Sequence, residues 1–169
     1  MLTFAYRFAP MTKRNIQSSG LKVLAQSVIR IGDLKNRRYT VRELRRITGI
    51  SPKQVIHWSR IRLLVPSWRD PQARGGRPAV FYSAKDVLKA LIICEMKQKG
   101  LAPSEVLEVA QNLERLGIRL DESARYLLTD GFSVYYAETD SKVVDILRNN
   151  NQMLLIPIHE QVQKLTRIA

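Results

Sequence analysis

Residues 39–82 read YTVRELRRITGISPKQVIHWSRIRLLVPSWRDPQARGGRPAVFY. From Lys35 to Tyr82 there are twelve Lys or Arg side chains and two Asp or Glu, a local balance of +10 in a chain whose total is +13. Most of the excess positive charge therefore lies in a short part of the chain. Such a concentration is typical of a surface that binds a polyanion, and the helical spacing of the stretch favours duplex DNA.

Two helix starts lie eleven residues apart in this stretch, at Thr40 and at Ser51. Glu43 follows the first by three residues and Gln54 follows the second by three, which is the form of a capping box. In this box the first side chain accepts a backbone N–H and the second side chain reaches back. Gly49 lies between the two starts, where a left-handed backbone can end the first helix. The spacing predicts a helix-turn-helix.

A hairpin wing is predicted after the second helix. Pro66 ends the apolar run, residues 67–79 are rich in Arg, Gly and Pro, and Val80-Phe81-Tyr82 reads as a short returning strand. The wing carries three arginines around a Gly-Gly pair: Arg69, Arg74 and Arg77. Two further helices, from Ser83 to Gly100 and from Pro103 to Gly117, have nearly balanced charge and are predicted to be scaffold.

The pattern changes after Leu120, where the segment becomes net −2. The predicted elements are strands at 125–128 and 132–136 with a tight turn at Asp130-Gly131, a helix at 142–148, a strand at 153–156 and a helix at 158–168. A unit of this size has little core of its own, so we expect it to pack against a second copy.

The predicted fold class is α+β, in three segments. Residues 1–38 are an N-terminal arm, partly flexible, in which Leu21 to Leu34 fits a short amphipathic helix or a strand. This arm either lies along DNA or is a solvated extension, and residues 1–10 precede a second methionine that could be the natural start. Residues 39–119 form the DNA-binding domain and residues 120–169 a small α+β dimerisation domain.

Composition excludes several classes of protein. One cysteine, Cys94, and two histidines, His57 and His159, allow no disulfide framework and no cysteine-rich zinc site, so we expect no metal and no cofactor. No apolar run approaches the ~20 residues of a spanning helix, and no signal peptide is evident. No spacing of carboxylates predicts a catalytic pair. We expect a cytoplasmic, nucleoid-associated protein that is not an enzyme.

Residues 39–117 resemble the MerR family of winged helix-turn-helix regulators. The resemblance rests on the Gly-Ile-Ser-Pro turn at 49–52, the Ile-x-Leu-Leu-x-Pro exit at 61–66, and the Tyr-Ser-x-x-Asp-Val helix start at 82–87. The family often has Arg-Tyr-Tyr in the second helix, whereas this chain has Ile56-His57-Trp58. The tail shows no sustained heptads and no cysteine pair, which resembles atypical, effector-free members. Some of these resemble the MerR-type repressors of cyanobacterial CRISPR-associated transposons.

The resemblance implies that the second helix enters the major groove and the wing lies along phosphates or the neighbouring minor groove. The residues expected to face bases are Ser51, Lys53, Gln54 and His57. Trp58 and Arg60 are expected to meet either the DNA backbone or the core. Thr40 and Arg42, at a helix N-terminus, suit a phosphate. The wing contributes Arg69, Arg74 and Arg77.

Three functions are consistent with these features of the sequence. The first is a dimeric repressor that binds an inverted repeat in a promoter without a small-molecule effector. The second is a DNA-binding antitoxin whose tail neutralises a toxin partner. The third is an architectural, excisionase-like protein that bends DNA.

Overall fold

The computed structural model of the protein describes residues 34, 36–72, 78–117, 125–149 and 152–167. The first part forms β1 (Tyr39–Thr40), α1 (Val41–Thr48), α2 (Pro52–Arg60), β2 (Trp68–Asp70), β3 (Ala79–Tyr82), α3 (Ala84–Gln98) and α4 (Pro103–Leu116). The second part forms β4 (Tyr126–Thr129), β5 (Val134–Ala137), α5 (Asp140–Asn149), β6 (Leu154–Pro157) and α6 (Ile158–Arg167). The predicted α+β class is confirmed. Most of the predicted arm, including residues 21–33 of its predicted helix or strand, lies outside the described residues.

The first sheet joins the start of α1 to the wing. Its strand order is β1-β3-β2 and both pairings are antiparallel. Tyr39 lies opposite Tyr82, and both rings are buried. Trp68 lies opposite Phe81. The strands β2 and β3 are therefore the two sides of the predicted wing, and residues 73–77 between them are outside the described ranges.

Helix α3 lies at the centre of the hydrophobic core. It begins as predicted at Ser83, whose Oγ accepts the Asp86 N–H (3.2 Å), while the Asp86 carboxylate accepts the Ser83 N–H (2.7 Å). Nine of its residues are buried, so it packs on several sides. The elements α1 and β3 contact it from the first part of the chain, and β6 and α6 contact it from the second. A single core therefore runs from Leu44 in α1 to Leu165 in α6.

A lysine is enclosed in this core. Lys89 of α3 is 4% exposed, and its Nζ forms an ion pair with Oε1 of Glu114 on α4. An unpaired ammonium group would be strongly destabilising at this depth, because it would lose its hydration without compensation. The pair therefore links α4 to α3.

The second sheet has β4 in the middle, in the order β5-β4-β6, with both pairings antiparallel. Leu127 lies opposite Tyr136 and Ile156, and these three side chains pack into the common core. The Tyr136 hydroxyl donates to the carbonyl of Gly117 (3.3 Å), whereas the neighbouring Tyr135 is exposed. The two tyrosines therefore take opposite faces of the sheet, as neighbouring residues of a strand do.

The hairpin between β4 and β5 differs from the prediction. Thr129 pairs with Val134, so a four-residue loop replaces the expected tight turn at Asp130-Gly131. The Asp130 carboxylate accepts the N–H groups of Phe132 (2.9 Å) and Ser133 (2.6 Å). These two donors are thereby removed from the ladder, and β5 begins two residues later than expected.

The remaining tail elements agree with prediction to within two residues. The helix expected at 142–148 is α5, the strand expected at 153–156 is β6, and the helix expected at 158–168 is α6. In α6, Leu165 is buried and Val162 packs against the core. None of the helices in the described ranges is long and apolar enough to cross a membrane.

Candidate nucleic-acid interface

The junction of α1 and α2 is a tight turn built on Gly49. Its φ of 75° lies in the left-handed region, and its N–H donates to the carbonyl of Arg45 (2.8 Å). An alanine would be strained at this φ, because its Cβ would meet the backbone of its own residue. The glycine therefore lets α1 end and α2 begin three residues later.

The predicted capping box at the start of α2 is confirmed. The Ser51 Oγ accepts the Gln54 N–H (3.2 Å), and the Gln54 Oε1 accepts the Ser51 N–H (2.7 Å). Both side chains therefore cap the N-terminus of α2, in addition to any contact that they make with a base. They can still offer DNA the hydroxyl hydrogen of Ser51, the amide N–H groups of Gln54 and one remaining lone pair on each of the two oxygens.

Helix α2 has an inward and an outward face. Val55 and Trp58, three residues apart, are buried. Lys53, Ile56, His57 and Arg60 are exposed and lie on the opposite side. Residues three and four positions apart are neighbours on a helix, so these four side chains form one patch. We call this patch the α2 face.

Trp58 belongs to the core and not to the α2 face. Its side chain is 3% exposed, and the Lys97 Nζ of α3 lies 5.7 Å from its ring centroid. Of the two expectations for Trp58, core and DNA backbone, the structure places it in the first. Arg60, for which the same two expectations stood, is exposed.

The end of α2 has an arginine in a left-handed conformation. The Leu63 N–H donates to the Trp58 carbonyl (2.8 Å) and the Arg62 N–H donates to the Ser59 carbonyl (3.3 Å). These two bonds define a Schellman motif, whose left-handed position is usually occupied by glycine. Here it is occupied by Arg62 with a φ of 56°, and the side chain is exposed. Arg62 therefore extends the basic surface at the cost of backbone strain.

The N-terminus of α1 is capped by its own side chains. The Thr40 Oγ1 donates to Oε2 of Glu43 (2.9 Å) and accepts the Glu43 N–H (3.2 Å). The hydrogen bond from the Thr40 backbone N–H is the main cause that lowers the pKa of the Glu43 carboxyl. Partial burial opposes this shift, and the Thr40 and Arg37 side chains add to it. Arg42 is exposed beside this cap.

Of the three arginines predicted for the wing, only Arg69 lies within the described residues. Arg69 of β2 is exposed, and the Arg38 guanidinium lies 5.3 Å from the ring centroid of Trp68 on the same strand. Arg74 and Arg77 lie outside the described residues. The base of the wing is thus basic on at least two sides.

The described part of the predicted site is strongly basic and has almost no acidic side chains. Between Val41 and Arg69 the chain has a single acidic residue, Glu43, and this carboxylate is held by Thr40 and Arg37. In the described ranges no cluster of three His, Cys, Asp or Glu residues could hold a metal ion.

Sequence reasoning missed two residues of this surface. Ile56 had no signal, because an isoleucine in a helix is expected to be buried. Arg62 could have been suspected from its position just after the second helix, where a glycine is usual.

Comparisons with known proteins agree with this geometry. Residues 39–113 match the family model described as MerR HTH family regulatory protein. An uncharacterized HTH-type transcriptional regulator of Mycobacterium bovis is 28% identical over 122 residues, which cover 72% of this chain and 53% of that relative. Two proteins of the same description, from Mycobacterium tuberculosis strains CDC 1551 and H37Rv, give the same values. The chain spans about half the length of these curated relatives. Residues 39–113 therefore form a MerR-family helix-turn-helix regulator domain.

Proposed function

We propose that the protein is a sequence-specific regulator of transcription that binds double-stranded DNA as a homodimer. The observation that carries this proposal is the α2 face, where Lys53, His57 and Arg60 are exposed on the second helix of a MerR-family domain. No acidic side chain belongs to this face. A helix with these dimensions and this charge fits the major groove, in which each base pair presents a distinct pattern of donors and acceptors.

Phosphate contacts come from the elements beside α2. In our proposal Arg42 at the start of α1, Arg62 at the end of α2 and Arg69 in the wing contact the DNA backbone on either side of the groove. We also propose, from the sequence alone, that Arg74 and Arg77 contact the neighbouring minor groove. If each subunit neutralises about five phosphates, the slope of log affinity against log salt for a dimer is about −9.

Dimerisation is supported by apolar side chains exposed on the second part of the chain. These are Phe132, Tyr135, Val144 and Leu147. A set of exposed apolar side chains on a small unit favours a protein partner, and a second copy is the simplest one. We therefore keep residues 120–169 as the dimerisation domain and residues 39–119 as the DNA-binding domain.

The direct test is selection of bound duplexes from a random library, followed by footprinting. We expect an enriched inverted repeat and protection of two half-sites, because one helix-turn-helix reads one half-site. Lys53→Ala should make the free energy of DNA binding less favourable by about 1–3 kcal/mol. Lys99→Ala, just after α3, removes the same charge from an exposed position outside both the α2 face and the proposed dimerisation domain, so it is the matched control and should leave affinity unchanged. Binding without any preferred sequence would contradict the proposal.

We further propose that the protein represses its target by occupying a promoter, without a small-molecule effector. The supporting feature is the tail, which resembles that of effector-free members such as the MerR-type repressors of CRISPR-associated transposons. Transcription in a purified system tests the sign of regulation, since repression should need only protein, promoter DNA and polymerase. The genomic neighbourhood of the coding sequence tests the link to a transposon.

An antitoxin is the second candidate, because the same exposed apolar side chains could be covered by a different protein. The mass of the particle purified from its native host distinguishes the two candidates. A homodimer alone supports the regulator, whereas a stoichiometric second protein bound through residues 120–169 supports the antitoxin.

A further inference from the structure

The α2 face contains one side chain that phosphate binding does not explain. Ile56 is 54% exposed, and it lies three residues after Lys53 and four residues before Arg60. His57 is its neighbour along the chain. An apolar group is thus placed in the middle of an otherwise basic surface.

Burial in the core does not account for this position. The buried side of α2 is formed by Val55 and Trp58, and the core packs against that side. Ile56 is rotated away from both, since successive residues of a helix are about 100° apart. More than half of the Ile56 side chain is therefore left in contact with water in the isolated protein.

The chemistry of the major groove supplies a partner for such a group. Each thymine presents its C5-methyl group there, and this methyl is the one apolar feature on the edge of a base pair. A phosphate, in contrast, offers only charged oxygen atoms, which an isoleucine would desolvate without compensation. On a helix that enters the major groove, Ile56 is matched to thymine by its chemistry.

We propose that Ile56 determines sequence preference by packing against the methyl group of a thymine in each half-site. This inference rests on the proposed function, because it requires that α2 reads DNA. It adds the chemical identity of one base that the operator contains. Lys53 and Arg60, on either side of Ile56, then hold the helix in the groove while Ile56 selects the base.

The experiment uses the full chain and the best duplex from the selection described above. Each thymine in a half-site is replaced in turn by deoxyuridine, which removes only the methyl group. For the wild-type protein we expect one replacement per half-site to lower affinity about fourfold, the equivalent of one buried methyl-sized group. For Ile56→Ala, affinity should be the same for the thymine and deoxyuridine duplexes.

Two controls separate this effect from others. Ile61→Ala removes an exposed isoleucine at the end of the same helix, which is 41% exposed, and it should keep the full response to deoxyuridine. Ile56→Val should keep part of the response, because a shorter apolar side chain remains. The oligomeric state in solution should be the same in Ile61→Ala and Ile56→Val as in the wild type.

The outcomes are distinct. An enriched sequence whose thymines can all be replaced without loss overturns the Ile56 inference and leaves the proposed function standing. The same holds if Ile56→Ala retains the wild-type response, or if it changes the mass of the particle, since the isoleucine would then be a protein contact. A selection that yields no enriched sequence overturns both proposals.

Discussion

Helices α2 and α3 begin and end in the same way but differ in the side chains between. Each begins with a serine in a capping box, Ser51 in α2 and Ser83 in α3. Each ends in a Schellman motif, with Arg62 at the left-handed position after α2 and Gly100 at that position after α3. The termini therefore define where each helix lies in the chain.

The side chains between the termini decide what each helix does. Nine residues of α3 are buried, whereas in α2 only Val55 and Trp58 are. One helix is held by the core on several sides, and the other is held on one side and exposed on the other. Capping signals thus locate a helix without showing whether it is scaffold or surface.

The largest expected difference between the two helices is in their apolar side chains. Ile93 of α3 is 0% exposed, so Ile93→Ala should lower the free energy of unfolding by about 2–5 kcal/mol. Ile56→Ala, the same change on the exposed side of α2, should change it by less than about 0.5 kcal/mol. Urea denaturation of both variants measures the comparison. Equal losses would show that α2 is packed on both sides.

The next effect concerns the two left-handed positions. No atom lies within 4 Å of a Cβ added at Gly100, so Gly100→Ala should cost only the backbone strain, about 1 kcal/mol. Arg62→Gly should raise stability by a similar amount, about 1 kcal/mol, because it relieves the same strain. Thermal unfolding of each variant gives the sign.

Arg62→Gly should also weaken DNA binding, since it removes a charge beside the α2 face. The salt slope should fall by about 1 for each subunit. Arg62→Lys is the matched control, because it keeps both the charge and the strain, and it should alter neither stability nor the slope. Unchanged DNA affinity in Arg62→Gly would show that the strained arginine has no part in binding.

Removal of the serine caps should cost less and should affect the two helices differently in function. Ser51→Ala and Ser83→Ala should each lower stability by about 0.5–1 kcal/mol. Only Ser51→Ala should weaken DNA binding under conditions in which both proteins are folded, because only Ser51 adjoins the α2 face. Fluorescence anisotropy with a labelled duplex, after circular dichroism has confirmed folding, measures this difference.

The smallest effect is a dependence of stability on pH that comes from the capping box of α1 and has no counterpart in the capping box of α2. Since folding lowers the pKa of the Glu43 carboxyl below its ordinary value of 4.5, the stability that Glu43 contributes is present above that value. It is lost as pH falls through the lower pKa of the folded state. Glu43→Gln should remove this part of the acid sensitivity, whereas Gln54, at the same position in the α2 box, does not titrate. Urea unfolding midpoints of the wild type and of Glu43→Gln, measured between about pH 3 and pH 6, test this expectation, because that range spans the ordinary pKa of a glutamate.

Most of the elements that could be predicted correctly from the sequence are specified by short local patterns. Thr40, Ser51 and Ser83 lie beside the partners that make their boxes, so the starts of α1, α2 and α3 were predictable from a few adjacent residues. The strands and helices of the tail followed from alternation and spacing in the same way. These features depend on contacts between near neighbours in the chain.

What escaped prediction depends on contacts that a local pattern does not contain. The position of β5 is set by the Asp130 carboxylate, which competes for N–H groups that a regular hairpin would use. Lys89 can be enclosed because its Nζ pairs with the carboxylate of Glu114, which is twenty-five residues away in the chain. The burial of Trp58 and the exposure of Ile56 depend on which side of α2 faces α3. Each of these facts belongs to the tertiary arrangement.

The shared core has a consequence for the use of this protein as a source of parts. Because β6 and α6 pack on α3, the apolar side chains that stabilise the DNA-binding helices continue into the last described helix. A segment cut at Gly117 and attached to another protein would leave buried faces of α3 open to water. The smallest portable unit therefore extends to Arg167, although the family pattern is complete by residue 113.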